Sequence, residues 1–297
     1  MASYRGRFAP SPTGPLHLGS LTAALGSWLM ARQAGGAWLL RVEDLDPPRE
    51  VPGAAQRQLL TLARFGLLPD EPVLFQSARG DFYGSALATL VASGDAFECR
   101  CTRSDLAPFA GIHRGCVAKP SGRHPAWRMR APAGLLGFHD RIRGEFAQDL
   151  REDVGDFVLR RSDGYWAYQL AVVVDDALQG ISEIVRGADL LDSTPRQLLL
   201  QRRLGFPQPA YAHLPLLLDR HGNKLSKSLR SAPVDAADPL PALRLAWSAL
   251  GQEPAVLDDA GPAPSLLARA LSAFDPGSIP ARNGPLEVAW AGRLRLS

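Results

Sequence analysis

The chain has 297 residues, 46% of them apolar and 21% charged, with a formal net charge of +3. That balance excludes a disordered class, and the length suits one sizeable core plus a large insertion or a small second domain. No apolar run reaches the roughly 18 residues of a membrane span. The N-terminus also lacks the apolar stretch of a signal peptide, so a cytoplasmic location is expected. The small positive charge permits nucleic-acid binding without requiring it.

Taken in chain order, Tyr4 to Ala9 reads as a short strand. The Pro10-Ser11-Pro12-Thr13-Gly14-Pro15 stretch must be an irregular turn, because proline is excluded from helix interiors and central strands. Leu18, Leu21, Leu25, Trp28 and Leu29 then recur at helical spacing. After Gly35-Gly36 comes an apolar run, Ala37 to Val42, ending in Glu43-Asp44. Strand, helix and strand in about forty residues predict a βαβ unit of a parallel sheet. Around residues 95 to 125 periodicity is lost, as expected of an insertion. Leu170 to Val174 reads as a buried parallel strand closed by Asp175-Asp176. Beyond Lys227 the chain turns helical, with Leu243, Ala246, Trp247 and Leu250 on one stripe and Leu266, Ala270 and Phe274 on another. Proline-rich joints separate these helices, and no pattern places the residues from Ile279 onward.

Two constellations carry phosphate chemistry. Arg7 to Ser20 puts His17 at the mouth of a helix directly after a strand. Backbone N–H groups and the positive end of the helix dipole converge there, which suits a phosphate. Gly19 leaves room for a flat base against the backbone. The second is Lys224-Leu225-Ser226-Lys227-Ser228, after the turn signal Asp219 to Asn223. Lysine acts as a mobile point charge, suited to transient clamping of a polyphosphate. Of 33 basic residues only Lys119, Lys224 and Lys227 are lysine, so finding two of them almost side by side weakens the reading as a merely solvated loop.

All three cysteines, Cys99, Cys101 and Cys116, fall in one short stretch. An odd count in a cytosolic chain argues against a disulfide framework. Cys99-x-Cys101 followed by His113-x-x-Cys116 offers four soft ligands at plausible tetrahedral zinc spacing.

His17-Leu18-Gly19-Ser20 and Lys224 to Ser228 resemble the two signatures of class I aminoacyl-tRNA synthetases. They depart from the usual pattern at Ser20 and Leu225. Leu40 to Asp46, Ala171 to Asp176 and Ile184 to Leu190 resemble elements of the glutamyl and glutaminyl branch, and the likeness covers roughly residues 4 to 230. It implies a Rossmann-like α/β catalytic domain over 1–230, with a zinc-bearing insertion at about 95–130, and a small helical domain over 231–297.

The resemblance also implies site roles. Arg7, Phe8, Ala9, Pro10, Ser11, Glu43, Tyr168 and Arg186 would bind L-glutamate, with Glu43 receiving the ammonium. His17, Gly19, Lys224 and Lys227 would bind ATP with Mg²⁺, His17 and Lys227 being catalytic. Zinc would sit on Cys99, Cys101, His113 and Cys116. The family commonly has tyrosine in the third place, and His113 lies one residue closer to the last cysteine, which leaves His124 in reserve.

The stretch from Ser228 to Ser297 is too short for the helical anticodon readers of a bacterial glutamyl-tRNA synthetase. Together with Tyr168-Gln169-Leu170 and Arg186 to Leu190, this looks like the glutamyl-Q-tRNA(Asp) synthetase family. Its members attach glutamate to the queuosine base in the anticodon of tRNA(Asp). A monomer without membrane attachment is expected. The rivals are a shortened glutamyl-tRNA synthetase charging a 3′ end, a non-catalytic paralogue that binds tRNA or glutamate, and a small nucleotidyltransferase. The last would leave the Glu43 and Arg186 blocks unexplained.

Overall fold

A computed structural model of the chain describes residues 3–118, 122–218 and 233–285. Lys224 and Lys227 lie outside the described residues.

The first βαβ unit forms as the sequence predicts, from β1 (Arg5–Phe8), α1 (Leu18–Gln33) and β2 (Ala37–Val42). Parallel pairing sets Arg5 opposite Ala37 and Phe8 opposite Leu40, and β3 (Leu74–Phe75) extends the sheet beyond β2. On the other side of β1 lies β9 (Glu183–Gly187). The two meet where the Ser182 N–H donates to the Arg5 carbonyl at 3.0 Å and the Arg5 N–H donates to Ser182 Oγ at 2.9 Å. β10 (Ala210–Leu214) pairs in parallel with β9, and β6 (Leu135–Asp140) with β10 through Tyr211 and Asp140. β7 (Gly144–Asp149) closes the edge as an antiparallel hairpin. The chain thus departs from β1 in one direction and returns to its other side. The crevice at the carboxyl ends of β1 and β9 is where an open parallel sheet receives its ligand.

α1 is wrapped by protein on nearly every side, so its apolar pattern is broad and not a single stripe. A Cβ on Gly26 would come within 2.8 Å of Leu214 Cδ1 and 3.2 Å of Leu250 Cδ2, so glycine is what lets this helix seat against its neighbours. Leu21, Leu25 and Leu29 of α1 share one apolar core with residues of two later helices, Pro239–Ala249 and Ala263–Ala273. Leu243, Trp247, Leu266 and Ala270 supply the helical side, so both expected stripes face inward. Ile279 is also buried there, and Gly284–Pro285 pairs in parallel with Leu217–Leu218.

The run Leu170 to Val174 is not a strand. It lies inside a helix, Tyr168–Leu178, whose residues 170 to 176 are all buried. Its β-branched valines favour strand geometry locally, but propensities of a few tenths of a kcal/mol yield to burial on all sides. A short apolar run bounded by polar residues has no period that separates the two. The insertion is also more regular than expected: β4 (Ala96–Cys99), β5 (Ala126–Met129) and β8 (Phe157–Arg160) form a three-stranded antiparallel sheet.

Candidate active site

The proline-rich loop after β1 is held by donors from the next unit. The Glu43 N–H donates to the Pro10 carbonyl and the Val51 N–H to that of Pro12, both at 2.9 Å. Gln58 Nε2 donates to the carbonyls of Ser11 (3.0 Å) and Gly14 (2.7 Å). Prolines lack N–H groups, so the loop is fixed through its acceptors. It delivers His17 as the N-cap of α1, where Nδ1 accepts the Ser20 N–H at 3.2 Å and Ser20 Oγ lies 3.1 Å from Nε2. A Cβ on Gly19 would lie 3.3 Å from the His17 ring, so glycine keeps that face open. Downstream of residues 219–232 the chain returns to this place, with the Val234 N–H donating to the Leu16 carbonyl at 3.0 Å.

Behind the loop lies a buried ionic cluster. Arg7 is 3% exposed and grips Asp176 with two bonds, Nε to Oδ1 at 3.0 Å and NH2 to Oδ2 at 3.2 Å. Arg41, fully buried, donates to the same Oδ1 at 2.7 Å, to Gln179 at 2.9 Å and to Glu43 Oε1 at 3.3 Å. Burial opposes the charge of Asp176, but Arg41 and Arg7 hold its carboxyl below the usual carboxylate range. Burial raises Glu43, with Arg41 and Arg7 pulling it part of the way back. Two guanidiniums thus face two carboxylates, and the cluster balances. Its free edges are Arg7 NH1 and Glu43 Oε2, which make no hydrogen bond among the described residues.

Arg186 differs. It is 5% exposed, and each partner is neutral: His213 Nε2 at 3.0 Å from Nε, Thr194 Oγ1 at 2.8 Å and the Leu190 carbonyl at 3.3 Å from NH2. NH1 has a long contact of 3.4 Å to Tyr168 Oη, and the guanidinium lies 5.6 Å over the Tyr211 ring. No carboxylate pairs with it among the described residues. Burial raises the Tyr168 hydroxyl, which keeps it a neutral phenol at pH 7. A buried cation ringed by neutral acceptors is stable only if an anion completes it or strong hydrogen bonds compensate.

The structure therefore brings Arg7, Glu43, Tyr168 and Arg186 toward one crevice. Phe8 gives its ring to the core, leaving only its backbone to a ligand, while Ala9 is half-buried, Pro10 buried and Ser11 exposed. Sequence reasoning missed Arg41, Asp176, Thr194, His213 and Asp140 as parts of this site. A signal existed in Leu-Leu-Arg41-Val and Ala-His213-Leu: a polar side chain inside an apolar strand needs a buried partner.

The four soft ligands also converge. The donor atoms of Cys99, Cys101, His113 and Cys116 all lie within 4.8 Å of one another. Cys99 Sγ stands 3.8 Å from Cys116 Sγ, matching the edge of a tetrahedron with zinc–sulfur bonds of about 2.3 Å, and 3.2 Å from His113 Nε2. His113 is 1% exposed, and Asp156 Oδ2 takes its Nδ1–H at 2.8 Å, which turns Nε2 toward the thiols. Gly155, at φ +71°, lets Asp156 approach, because a Cβ there would sit 2.5 Å from the His113 carbonyl. His124 is exposed and outside this cluster.

A family model described as the catalytic domain of class I tRNA synthetases (E and Q) matches residues 3–121 and 117–238. A protein of Xanthomonas campestris named glutamyl-Q tRNA(Asp) synthetase is 60% identical over 278 residues, covering 93% of each chain. One of Burkholderia cenocepacia with the same name is 54% identical over 265 residues, covering 84% of this chain and 88% of its own. A glutamate tRNA ligase from Elizabethkingia meningosepticum, solved in complex with its amino acid, superposes with a TM-score of 0.80 at 27% identity, covering 96% of this chain and 67% of that one. The chain belongs to the class I glutamyl and glutaminyl tRNA synthetase family, in the group named glutamyl-Q tRNA(Asp) synthetase.

Proposed function

We propose that this enzyme activates L-glutamate with ATP and transfers it to the queuosine base in the anticodon of tRNA(Asp). The observation that carries the reading is Arg186, a buried guanidinium without a carboxylate partner among the described residues, in a chain half or more identical to enzymes of that name. Its NH1 suits the side-chain carboxylate of glutamate, beside Tyr168. Glu43 Oε2 suits the ammonium and Arg7 NH1 the α-carboxylate. One oxygen of that carboxylate attacks the α-phosphorus of ATP and pyrophosphate leaves. A hydroxyl of the queuosine cyclopentenediol then attacks the anhydride carbonyl, losing its proton as AMP departs. No covalent bond to the enzyme forms, so positioning and charge stabilisation supply the catalysis. His17 and the first turn of α1 receive the phosphates, and Lys224 and Lys227 supply further positive charge for them. Mg²⁺, when bound, spreads the phosphate charge.

Cys99, Cys101, His113 and Cys116 would hold a zinc ion whose role is structural, fixing the start of the insertion. We divide the chain by role at residue 230, with 1–230 catalytic and 231–297 a helical support.

The test is labelled glutamate with ATP and two preparations of tRNA(Asp), one with queuosine and one with guanine in its place. Label confined to the queuosine tRNA, and mapped by nuclease digestion to the anticodon, is expected. Label at the 3′-terminal adenosine, or equal labelling of both, would make it an acceptor-charging enzyme instead.

A further inference from the structure

Arg186 is held from behind by a second layer that the reaction itself does not use. Asp140 is fully buried at the end of β6. Its Oδ1 accepts three backbone N–H groups, from Ile142 (3.0 Å), Arg143 (2.9 Å) and His213 (3.1 Å). Its Oδ2 takes the Nδ1–H of His213 at 2.5 Å. A carboxylate so engaged can offer His213 only an acceptor, so the imidazole proton must sit on Nδ1. Nε2 is then a lone pair, and it meets the Nε–H of Arg186 at 3.0 Å. His213 itself is fully buried, and burial, the largest influence, lowers its pKa and keeps the ring neutral.

The geometry points to Asp140 and His213 as a positioning pair that selects for glutamate. By fixing the tautomer they anchor Arg186 through Nε with a neutral group, and the guanidinium keeps its charge for an anionic substrate side chain. A carboxylate in place of the imidazole would anchor Arg186 equally well, but would cancel the charge that separates glutamate from glutamine. This rests on the reading that Arg186 receives the substrate's side-chain carboxylate.

Asp140→Asn is the sharp variant, since it changes neither size nor shape. The single carbonyl of the amide must face the three backbone donors, which turns its NH2 toward His213. Nδ1 then becomes the acceptor and the ring proton moves to Nε2, donor against donor with Arg186 Nε. Glutamate-dependent exchange of pyrophosphate into ATP should show the glutamate KM raised about tenfold to a hundredfold, the loss expected for one charged hydrogen bond. The KM for ATP and kcat should stay within about twofold, and glutamine should compete better than against the parent enzyme. His213→Gln, whose amide oxygen reaches the place of Nε2, should recover most of the glutamate affinity, whereas His213→Asn, too short to reach, should not.

An unchanged glutamate KM in Asp140→Asn, or a uniform loss of every parameter with a lowered melting temperature, would overturn the proposal and leave only a structural pair. If Asp140→Asn fails to fold, nitrogen-15 NMR of the parent enzyme decides: a proton on Nδ1 of His213 supports the pair and one on Nε2 overturns it. Absence of exchange in the parent enzyme would remove the functional reading and this proposal together. An active parent with an indifferent Asp140→Asn variant removes this one alone.

Discussion

Two aspartate–histidine pairs in different parts of the fold use one device for two purposes. In both, a carboxylate takes the Nδ1–H, Asp140 from His213 and Asp156 from His113. In both the imidazole is buried and Nε2 is left as a lone pair. At His213 that lone pair meets the Nε–H of a guanidinium, and at His113 it meets three thiols gathered around a common centre. The pair itself therefore carries no function. What stands at Nε2 decides whether it steadies a substrate-binding cation or takes part in a metal site, and each can be broken separately.

The largest effect is expected at the thiols. Protein purified without added metal should carry about one equivalent of zinc, and Cys101→Ala should carry less than about a tenth, because three ligands hold a structural site poorly. Elemental analysis reads this directly. Full occupancy in the variant would mean that zinc is held without Cys101, and less than about a tenth of an equivalent in the parent, with no loss of stability in Cys101→Ala, would leave the cluster as packed thiols.

Next in size is Arg186→Lys. An ammonium keeps the charge but cannot hold His213, Thr194 and a substrate carboxylate in one plane. The glutamate KM in pyrophosphate exchange should rise about a hundredfold, equivalent to the loss of one or two charged hydrogen bonds. A rise of less than about threefold would show that the carboxylate is bound elsewhere, with Arg7 NH1 the alternative.

The same contrast explains what could be read from the sequence. His17, Arg7, Glu43 and Arg186 sit in or beside short motifs, where neighbours in the chain are neighbours in space. The four soft ligands all fall between Cys99 and Cys116, so their spacing alone suggested a common centre. Asp140 and His213 lie far apart in the chain and meet only because β6 and β10 pair. No local period reports such a meeting. The sequence pattern sets Asp176 at the end of a strand, and only as a helical residue of Tyr168–Leu178 does it reach both Arg7 and Arg41. Phe274 fits a helical stripe by its spacing, yet it stands just past the helix end while still filling the core.

Asp156→Asn sharpens the comparison on the metal side and should be milder than losing a ligand. Asp156 accepts both the His113 Nδ1–H and the Ala131 backbone N–H, each at 2.8 Å, and an amide has one acceptor for the two, so it no longer strengthens His113 as a ligand or fixes its tautomer as firmly. Outer-sphere changes of this kind cost about tenfold to a hundredfold in metal affinity. Competition with a chromogenic chelator measures it, and unchanged affinity would show that His113 does not depend on this partner.

The smallest effect is in the acid stability of the folded enzyme, and its sign follows from His213. Burial sets the folded pKa of that ring below its unfolded value of about 6.5, so below that pH the unfolded chain binds a proton that the folded one refuses. Stability should fall as pH drops from about 6.5 toward the folded pKa, at no more than about 1.4 kcal/mol per pH unit for one proton. Asp140 also has a lowered folded pKa, but its contribution is complete above about 3.9 and fades only as pH falls through its folded value. The two windows are therefore separate. Glu43 and Glu183, raised by burial, act with the opposite sign, their folded forms holding protons that the unfolded chain has released. The informative quantity is thus the difference between parent and His213→Gln in chemical unfolding at pH 7 and pH 5.5, since the glutamates are common to both. The parent should lose more stability than the variant over that interval. Equal losses would mean that His213 titrates normally in the folded enzyme, and its lone pair would then be unavailable to Arg186 in mild acid.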